Sequence, residues 1–416
     1  MDLSVGRPSV IAFFSVFILL ARLGESRADD WPGWRGANRD GHTSEVLPEH
    51  LTTPPPVRWR KSVGHGYAGV AVASDRLVFA DESAGYETVR VLRTTTGEEV
   101  WAYPVAPVWN DEFEHGPRCT PVVAGGRVFF QSNQGEFICL NLATGKRAWG
   151  FNFSDYGAFW VSSANSPIGA ANRRGHCASA VVEGDQVVVS VGSTNGASLC
   201  AFAAGDGRLL WKTQNDLTAY SSPVVGTLAG ERQVVTATCE GLIGVASGDG
   251  HLRWRVPFRT GANRNVLTPI LDGDTVSFGS FTTGFRRVRV SASPQGQVAV
   301  DEWLNPQLKI NLSTPVRVDG YYYGLGPTKN FVCIDRKDGA VKWDEKGFGE
   351  VASVITDGRG LLVLLDSGEI RLLEVTSEKY VELGRFQACG KTFSQPAWAE
   401  RCLYVRDARE IVGYRF

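Results

Sequence analysis

The chain has 416 residues and a formal net charge of −1, with 43% hydrophobic and 21% charged residues. A balance this close to neutral excludes a polyanion-binding surface and argues against nucleic acid as a partner. The length leaves room for a large core and for about two or three domains of ordinary size.

Residues 1–28 have the pattern of a secretory signal peptide. Arg7 precedes the apolar run VIAFFSVFILLA, and the small-residue stretch SRA ends at Ala28. This run is shorter than the roughly 20 residues that span a bilayer, and no later segment is longer or more apolar. The first cysteine is Cys119, so no lipid anchor is predicted at the new N-terminus. We expect an exported protein, periplasmic or secreted, without a transmembrane segment.

The segment that follows, residues 29–56, is predicted to be an N-terminal arm. It contains WPGWRGANRDGH, which places Trp31 and Trp34 close together. Indole side chains bury a large apolar area and carry one N–H donor, so they serve either as a ligand platform or as packing anchors.

An internal repeat begins after the arm. Five segments end in tryptophan with a glycine four residues earlier: TTTGEEVW, LATGKRAW, AAGDGRLLW, ASGDGHLRW and RKDGAVKW. The Thr-Gly or Asp-Gly pair in each segment favours a tight hairpin turn. Looser copies supply Trp59 and Trp303, and Leu383 occupies an eighth equivalent position. The anchors recur every 40–49 residues with one interval of 62, which is the period of a four-stranded propeller blade.

Each period opens with a Ser/Thr-Pro strand, a Gly/Asp turn and a Val-rich strand, the pattern of an antiparallel hairpin. In the second period this predicts strands at residues 119–124, 127–132, 136–142 and 147–153. The last period ends after three strands, so the fourth has to come from the N-terminal side. Residues 57–416 are therefore predicted to form an all-β, eight-bladed propeller closed by an N-terminal strand. We expect Trp31 and Trp34 to hold the arm across the last blade and its neighbour, the ligand platform being the alternative.

The repeated turn and tryptophan resemble the tryptophan-docking motif of the quinoprotein alcohol dehydrogenase-like, or PQQ-like, propeller superfamily over residues 57–416. In that superfamily the tryptophan of one blade packs on the turn of a neighbour. The resemblance thus implies docking roles for Trp59, Trp101, Trp149, Trp211, Trp254, Trp303 and Trp343.

The superfamily has two relevant branches. One holds dehydrogenases that bind pyrroloquinoline quinone (PQQ) and Ca²⁺ in the funnel, with an adjacent Cys-Cys pair and a Glu/Asn/Asp set around the metal. The other holds non-catalytic scaffolds such as the propeller subunit of the outer-membrane β-barrel assembly machinery. This chain has no adjacent cysteines. The resemblance favours a scaffold without a cofactor, and a PQQ- or metal-dependent oxidoreductase is the alternative.

Ligands of propellers bind where the connections into the inner strands converge. Alignment of the blades on their Ser/Thr-Pro starts places polar side chains at these positions: His65, Tyr67, His115, Arg118, Arg173, Arg174, His176, Tyr220, Arg264, Asn265, Asn311, Glu350 and Lys391. Three of them are histidines from consecutive blades, which could converge on Zn²⁺. Their offsets differ between blades, and a solvent-wetted polar rim is the alternative.

The cations of this rim outnumber its single carboxylate, Glu350. Guanidinium groups bind carboxylates and phosphates, although arginine bonds to the backbone of a neighbouring blade would use the same donors. We expect a protein partner or a small anionic ligand, and a monomeric chain. Whether Cys119 and Cys177 form a disulfide is left open, because the distance between their Cα atoms is not set by the sequence. No GxSxG, HExxH or P-loop motif is present.

Overall fold

The predicted ring of eight blades is confirmed. The computed structural model describes Met1 and residues 30–109, 115–158, 174–260 and 264–416. Its strands form eight antiparallel sheets of four strands each. The predicted signal peptide and Arg173 lie outside the described residues. Within the part of the chain described, no helix has the length and apolar character needed to cross a membrane.

Blades 1 to 4 follow one another along the chain after β1 (Val57–Ser62). Blade 1 comprises β2 (Ala71–Ala73), β3 (Arg76–Ser83), β4 (Tyr86–Arg93) and β5 (Glu99–Pro107). Blade 2 comprises β6 (Val122–Ala124), β7 (Arg127–Gln131), β8 (Glu136–Asn141) and β9 (Arg147–Asn152), followed by a 3-10 turn at Phe153–Tyr156. Blade 3 comprises β10 (Val181–Glu183), β11 (Gln186–Ser193), β12 (Ala197–Ala203) and β13 (Leu209–Thr213). Blade 4 comprises β14 (Val224–Leu228), β15 (Glu231–Ala237), β16 (Gly241–Ala246) and β17 (Leu252–Pro257).

The remaining blades repeat this order from the channel outward. Blade 5 comprises β18 (Ile270–Asp272), β19 (Thr275–Ser280), β20 (Gly284–Ser293) and β21 (Gly296–Asn305). Blade 6 comprises β22 (Val316–Val318), β23 (Tyr321–Leu325), β24 (Asn330–Asp335) and β25 (Val341–Lys346). Blade 7 comprises β26 (Ala352–Thr356), β27 (Gly360–Leu365), β28 (Glu369–Glu374) and β29 (Glu382–Gln387). Blade 8 comprises β30 (Ala397–Ala399), β31 (Cys402–Arg406), β32 (Glu410–Arg415) and the N-terminal β1.

The N-terminal strand closes the ring as predicted. β1 pairs antiparallel with β32, from Val57 opposite Tyr414 to Ser62 opposite Glu410. The first strand of the propeller thus completes the blade built by the last three, and each terminal segment covers an edge that the other would leave unpaired. The strands of blade 2 also lie within the four ranges predicted for them.

Hydroxyl groups at the blade starts connect neighbouring blades around the channel. Backbone N–H groups donate to a hydroxyl of the adjacent blade at five junctions: Gly69 to Thr120 (3.1 Å), Thr120 to Ser179 (3.0 Å), Ser179 to Ser222 (3.0 Å), Thr268 to Thr314 (2.9 Å) and Ala352 to Ser313 (2.9 Å). These bonds satisfy buried amides that no strand ladder reaches. They give a physical reason for the recurring Ser/Thr before each inner strand.

Tryptophans connect the same blades near the outside of the ring. Six indole N–H groups donate to a carbonyl of the following blade: Trp59 to Thr94 (2.7 Å), Trp101 to Leu142 (2.8 Å), Trp149 to Ala204 (3.1 Å), Trp211 to Ser247 (3.1 Å), Trp303 to Arg336 (2.9 Å) and Trp343 to Thr376 (2.9 Å). Five of these indoles lie flat against a turn glycine of that blade: Gly97, Gly145, Gly207, Gly250 and Gly339. A Cβ at any of these glycines would lie 2.5–2.7 Å from the indole. Only glycine fits.

Trp254 departs from this pattern. Its indole N–H donates to Oε1 of Gln233 (2.8 Å), within its own blade. Gln233 then donates to Oε1 of Gln297 in blade 5 (2.7 Å), so a glutamine pair makes the connection to the next blade. The next hairpin, β20–β21, has ten residues in each strand and lacks the turn glycine four residues before its tryptophan. Trp254 therefore differs from the other six tryptophans in its hydrogen-bond partner, and its docking role stays a prediction.

The start of the N-terminal arm lies in the central channel. Trp31 exchanges two backbone hydrogen bonds with Val72 of blade 1 (2.9 and 2.7 Å), and the indole N–H of Trp34 donates to Thr268 of blade 5 (2.9 Å). Trp31 thus lies on blade 1, the neighbour of the last blade, whereas Trp34 reaches blade 5 instead of the closing seam expected for it. Two arginines follow Trp34, and their donors bond to carbonyls around the channel.

The two arginines of the arm are buried and bind carbonyl groups on opposite sides of the channel. The guanidinium of Arg35 donates to Thr314 (2.7 Å) and Pro315 (2.9 Å), and that of Arg39 donates to Ser179 (3.0 Å) and to Ala180. Burial lowers the pKa of Arg35 to about 10 and that of Arg39 to about 9, so both remain charged at neutral pH.

The later part of the arm does run over the last two blades. The carboxylate of Glu45 accepts hydrogen bonds from the amides of Glu400 (2.5 Å) and Arg401 (2.7 Å) in blade 8. The amide of Leu51 donates to the carbonyl of Leu383 in blade 7 (3.0 Å). Leu383 replaces tryptophan where the following blade has no hairpin turn, because the outer strands of blade 8 come from opposite ends of the chain.

Gly145→Ala tests the docking of indole on glycine. Gly145 has a φ of 70°, and an added Cβ would lie 2.7 Å from Trp101. Gly196→Ala is the matched control, because Gly196 has a φ of 75° with no atom within 4 Å of the same position. We expect the control to lose about 1 kcal/mol of unfolding free energy from backbone strain, and Gly145→Ala to lose about 1–3 kcal/mol more. Denaturant unfolding measures both, and equal losses would contradict the docking role.

Trp31→Ala tests how firmly the channel segment is held. Trp31 is 2% exposed, so its truncation should lower the free energy of unfolding by about 3–5 kcal/mol. Trp34→Ala removes a half-buried indole with one hydrogen bond and should have a smaller effect. Deletion of residues 29–45 should lower the melting temperature. Calorimetry checks all three, and an unchanged melting temperature after the deletion would refute the packing role.

Candidate functional site

The rim predicted from the blade starts lies on one face of the propeller, which we call the funnel face. It bears the connections that lead into the inner strands, including residues 63–70, 115–121 and 264–269. Below it, the hydroxyl junctions and residues 31–43 of the arm occupy the channel. The arm thus contacts several blades around the same channel.

Two of the rim histidines lie against each other at the junction of blades 1 and 2. The rings of His65 and His115 are stacked with their centroids 4.4 Å apart. Nδ1 of His115 contacts a carboxylate oxygen of Glu82. The carboxylate thus orients the His115 ring, and the His65 ring stacks on it.

Aromatic and cationic side chains continue the rim toward blade 8. Tyr67 packs on Phe393 with ring centroids 5.2 Å apart. The Arg118 guanidinium lies 5.7 Å from the Tyr67 ring, and Nζ of Lys391 lies 5.6 Å from the Phe393 ring. Cations at this distance are attracted by the negative face of an aromatic ring, which helps to hold them in place.

Three arginines of the predicted rim extend the positive charge across blades 2 to 6. Arg118 donates to the carbonyl of Arg174 (3.1 Å), and the amide of Arg174 donates to the Tyr220 hydroxyl (3.1 Å). Arg264 donates to Oδ1 of Asn311 (3.0 Å). Burial lowers the pKa of Arg264, and the nearby charge of Arg174 acts in the same direction. The structure thus brings these cations near one another, although some of their donors bond to protein atoms.

Three other predicted residues do not join this group. Glu350 pairs with Lys329 (2.9 Å) and is exposed. The amide of Asn265 is buried and donates to the carbonyl of Thr238 (2.7 Å). His176 is also buried, and its ring packs nearly perpendicular to the Phe153 ring with the two centroids 4.6 Å apart. The three histidines therefore do not form the zinc site considered above, and no cluster of three or more His, Cys, Asp or Glu able to hold a metal occurs among the described residues.

A buried polar cluster beneath the rim was missed from the sequence. The carboxylate of Glu87 accepts a hydrogen bond from the amide of Asn133 (3.1 Å), and Asn133 accepts one from the amide of His176 (2.9 Å) through its carbonyl. Burial raises the pKa of Glu87 to about 8, partly offset by that amide and by Arg118. Both ring nitrogens of His176 lack a hydrogen-bond partner. Glu87 lies in β4 and Asn133 follows β7, so an alignment of the blade starts alone does not detect them.

The cysteines form no disulfide. All eight are free thiols, and seven of them are buried. Sγ of Cys119 donates to the carbonyl of His176 (3.1 Å), and burial raises its pKa well above the usual range. Cys177 contacts the carbonyl of Arg174 (3.4 Å) instead of Cys119. These thiols act as small buried side chains.

The indole docking, the hydroxyl junctions and the N-terminal closing strand define a PQQ-like eight-bladed propeller. A sequence family described as outer membrane protein assembly factor BamB matches residues 56–173 and 160–345. The two matches together span more than half of the chain, and this chain belongs to that family.

Relatives and solved structures agree with this assignment. BamB of Yersinia pestis is 26% identical over 369 residues, which are 84% of this chain and 86% of that protein. BamB of Salmonella typhimurium is 26% identical over 302 residues, which are 69% of this chain and 70% of that protein. The crystal structure of BamB from Moraxella catarrhalis matches with a TM-score of 0.57 and 16% identity, covering 86% of this chain and 98% of that one. Quinohemoprotein alcohol dehydrogenase ADHIIG from Pseudomonas putida HK5 matches with a TM-score of 0.63 and 10% identity, covering 93% of this chain and 80% of that one. At these identities the two structural matches show the fold alone.

His176→Leu tests the effect of the buried imidazole on stability. Burial lowers the pKa of His176 to about 3, whereas the unfolded chain titrates near 6.5. Protonation of the unfolded state therefore removes stability as the pH falls from 6.5 toward 3. When the pH falls from about 7.5 to about 5, we expect the free energy of unfolding of the wild type to decrease by about 2 kcal/mol more than that of His176→Leu.

Urea unfolding at both pH values measures this difference. His50→Gln removes an exposed histidine and should keep the pH dependence of the wild type. If His176→Leu lost as much stability as the wild type, the imidazole would not be the cause.

Proposed function

We propose that this protein is an exported, non-catalytic scaffold of outer-membrane protein assembly, which acts in the periplasm. Membership of the BamB family supports the proposal most directly. The relatives from Yersinia pestis, Moranella endobia and Salmonella typhimurium are all described as outer membrane protein assembly factors. In this proposal the arm at 29–56 and the propeller at 57–416 act as one unit.

The funnel face is the proposed binding surface for an acidic segment of a partner or a small anionic ligand. Arg118, Arg174 and Arg264 supply positive charge there, and the rim carboxylate Glu350 is already paired. Fixed guanidinium groups attract anions with little loss of conformational entropy on binding. Five further rim side chains are proposed to line the same face: His65, Tyr67, His115, Asn311 and Lys391.

A PQQ- or metal-dependent oxidoreductase using the funnel is the alternative. The sequence lacks the adjacent cysteine pair that the resemblance to the dehydrogenases would imply, which favours the scaffold. Titration of the purified protein with PQQ and Ca²⁺ distinguishes the two.

Deletion of the gene in its native host tests the assembly function. We expect the outer membrane to contain fewer β-barrel proteins and to admit detergents more readily. Wild-type protein should restore both properties. Arg174→Glu with Arg264→Glu should restore them only partly, because the charge of the proposed surface is reversed. Quantitative mass spectrometry of outer-membrane fractions measures the outcome.

Lys342→Glu with Lys379→Glu is the matched control, since it changes the net charge equally at two exposed lysines, one on the outer strand β25 and one on the turn between β28 and β29. It should rescue as well as the wild type. Unchanged β-barrel levels after gene deletion would refute the assembly function. Stoichiometric binding of PQQ with Ca²⁺ to the purified protein, together with oxidation of an alcohol, would establish the enzyme instead.

A further inference from the structure

A cavity of about 680 Å³ opens on the funnel face above blade 8. Three segments line it: residues 62–67, which lead from β1 to β2; residues 390–393, which lead into β30; and the turn 407–410 between β31 and β32. It lies at the seam where the N-terminal and C-terminal strands close the ring. We call it the seam pocket.

The walls of the seam pocket are fixed to one another. The carboxylate of Asp407 accepts hydrogen bonds from the amides of Gly390 (2.6 Å), Arg409 (2.7 Å) and Glu410 (2.9 Å). Beneath them, the fully buried Arg406 donates to the carbonyl of Gly64 (2.8 Å). All three segments are thus joined through residues 406 and 407, and a ligand would meet a preformed site.

One side of the pocket is aromatic. Tyr67 and Phe393 are half-buried, and their rings are inclined at 51° with centroids 5.2 Å apart. Each ring comes from a different lining segment. Such a pair offers a partly exposed face on which a flat ring can stack.

The charges of the pocket leave two cations for a ligand. Lys391 and Arg409 are exposed, and neither has a carboxylate within ion-pair distance among the described residues. The carboxylate of Asp407 is engaged by three amides, and that of Glu410 pairs with Arg60 at 3.1 Å. The pocket is therefore complementary to an anion.

The hydrogen-bond donors that are still available to a ligand indicate the type of anion that the pocket would bind. The turn amides that would suit a phosphate already donate to Asp407, so the two side-chain cations are the donors available. Lys391 and Arg409 carry two positive charges and Asp407 carries one negative charge, so a single carboxylate balances the one positive charge that is left. The aromatic wall favours a flat group attached to that carboxylate.

We propose that the seam pocket binds a small aromatic carboxylate, with its ring against Tyr67 and Phe393 and its carboxylate between Lys391 and Arg409. The inference rests on the proposed role of the funnel face in binding anions, and it gives that role a place and a ligand class. A bound ligand would contact both the N-terminal and the C-terminal side of the closing blade. Its binding should therefore also stabilise the closed ring.

Calorimetric titration of the purified protein tests the proposal with three probes. 2-Naphthoate carries both the ring and the charge, 2-naphthylmethanol carries the ring alone, and acetate carries the charge alone. We expect 2-naphthoate to bind at least about fivefold more tightly than either of the others and to raise the melting temperature. Added salt should weaken its binding.

Two variants locate the binding. Lys391→Met should weaken the binding of 2-naphthoate about threefold, because it removes one of the two cations. Phe393→Ala should weaken it about fivefold, because it removes one of the two aromatic rings. Lys309→Met, an exposed lysine outside the pocket, should bind like the wild type. The melting temperature of each unliganded variant verifies its fold.

Absence of 2-naphthoate binding would overturn the proposal, and so would binding that both variants leave unchanged. Equal affinity for the neutral alcohol would overturn the role of the two cations. These outcomes are separate from the assembly function, because that function is measured by β-barrel protein levels in the gene deletion. The gene deletion can lower β-barrel protein levels even if the pocket does not bind 2-naphthoate. Conversely, the pocket can bind 2-naphthoate even if the deletion leaves those levels unchanged.

Discussion

The contact between an indole and a turn glycine holds this ring together. In five places the tryptophan of one blade lies on the glycine of the next, and its N–H reaches a carbonyl of the same turn. The turn glycine and the tryptophan of a blade are only four residues apart in sequence. Each short segment therefore supplies the glycine for a contact with one neighbouring blade and the tryptophan for a contact with the other. Each blade is thereby joined through its tryptophan to the blade that follows it along the chain.

The hydroxyl junctions make the same connection at the channel. There, a backbone amide such as that of Thr120 donates to Ser179 of the adjacent blade. These contacts between blades do not use the exposed cations of the funnel face, such as Lys391 and Arg409. The rim and the seam pocket both lie on this face.

The repeat made the propeller, its blade count and its closure predictable, because turn and anchor lie close together in sequence. Contacts between distant segments were not predictable in the same way. Trp254 has the expected motif, yet its partner depends on the longer hairpin of the next blade. The rim histidines were found from the blade starts, but only packing decides that His65 and His115 stack while His176 is buried. Arg409 lies on a turn between strands, which an alignment of blade starts does not include.

The position of the arm sets an order on folding. Arg35 binds Thr314, 279 residues later, and Glu45 binds Arg401, 356 residues later. The segment made first during synthesis therefore finds its partners last, and loop closure over such distances is slow. Until β32 is made, β1 has no strand to pair with, so the nascent ring presents an open strand edge of the kind that invites aggregation. A protein of an outer-membrane protein assembly family is thus itself open to mispairing until residues 410–415 are made.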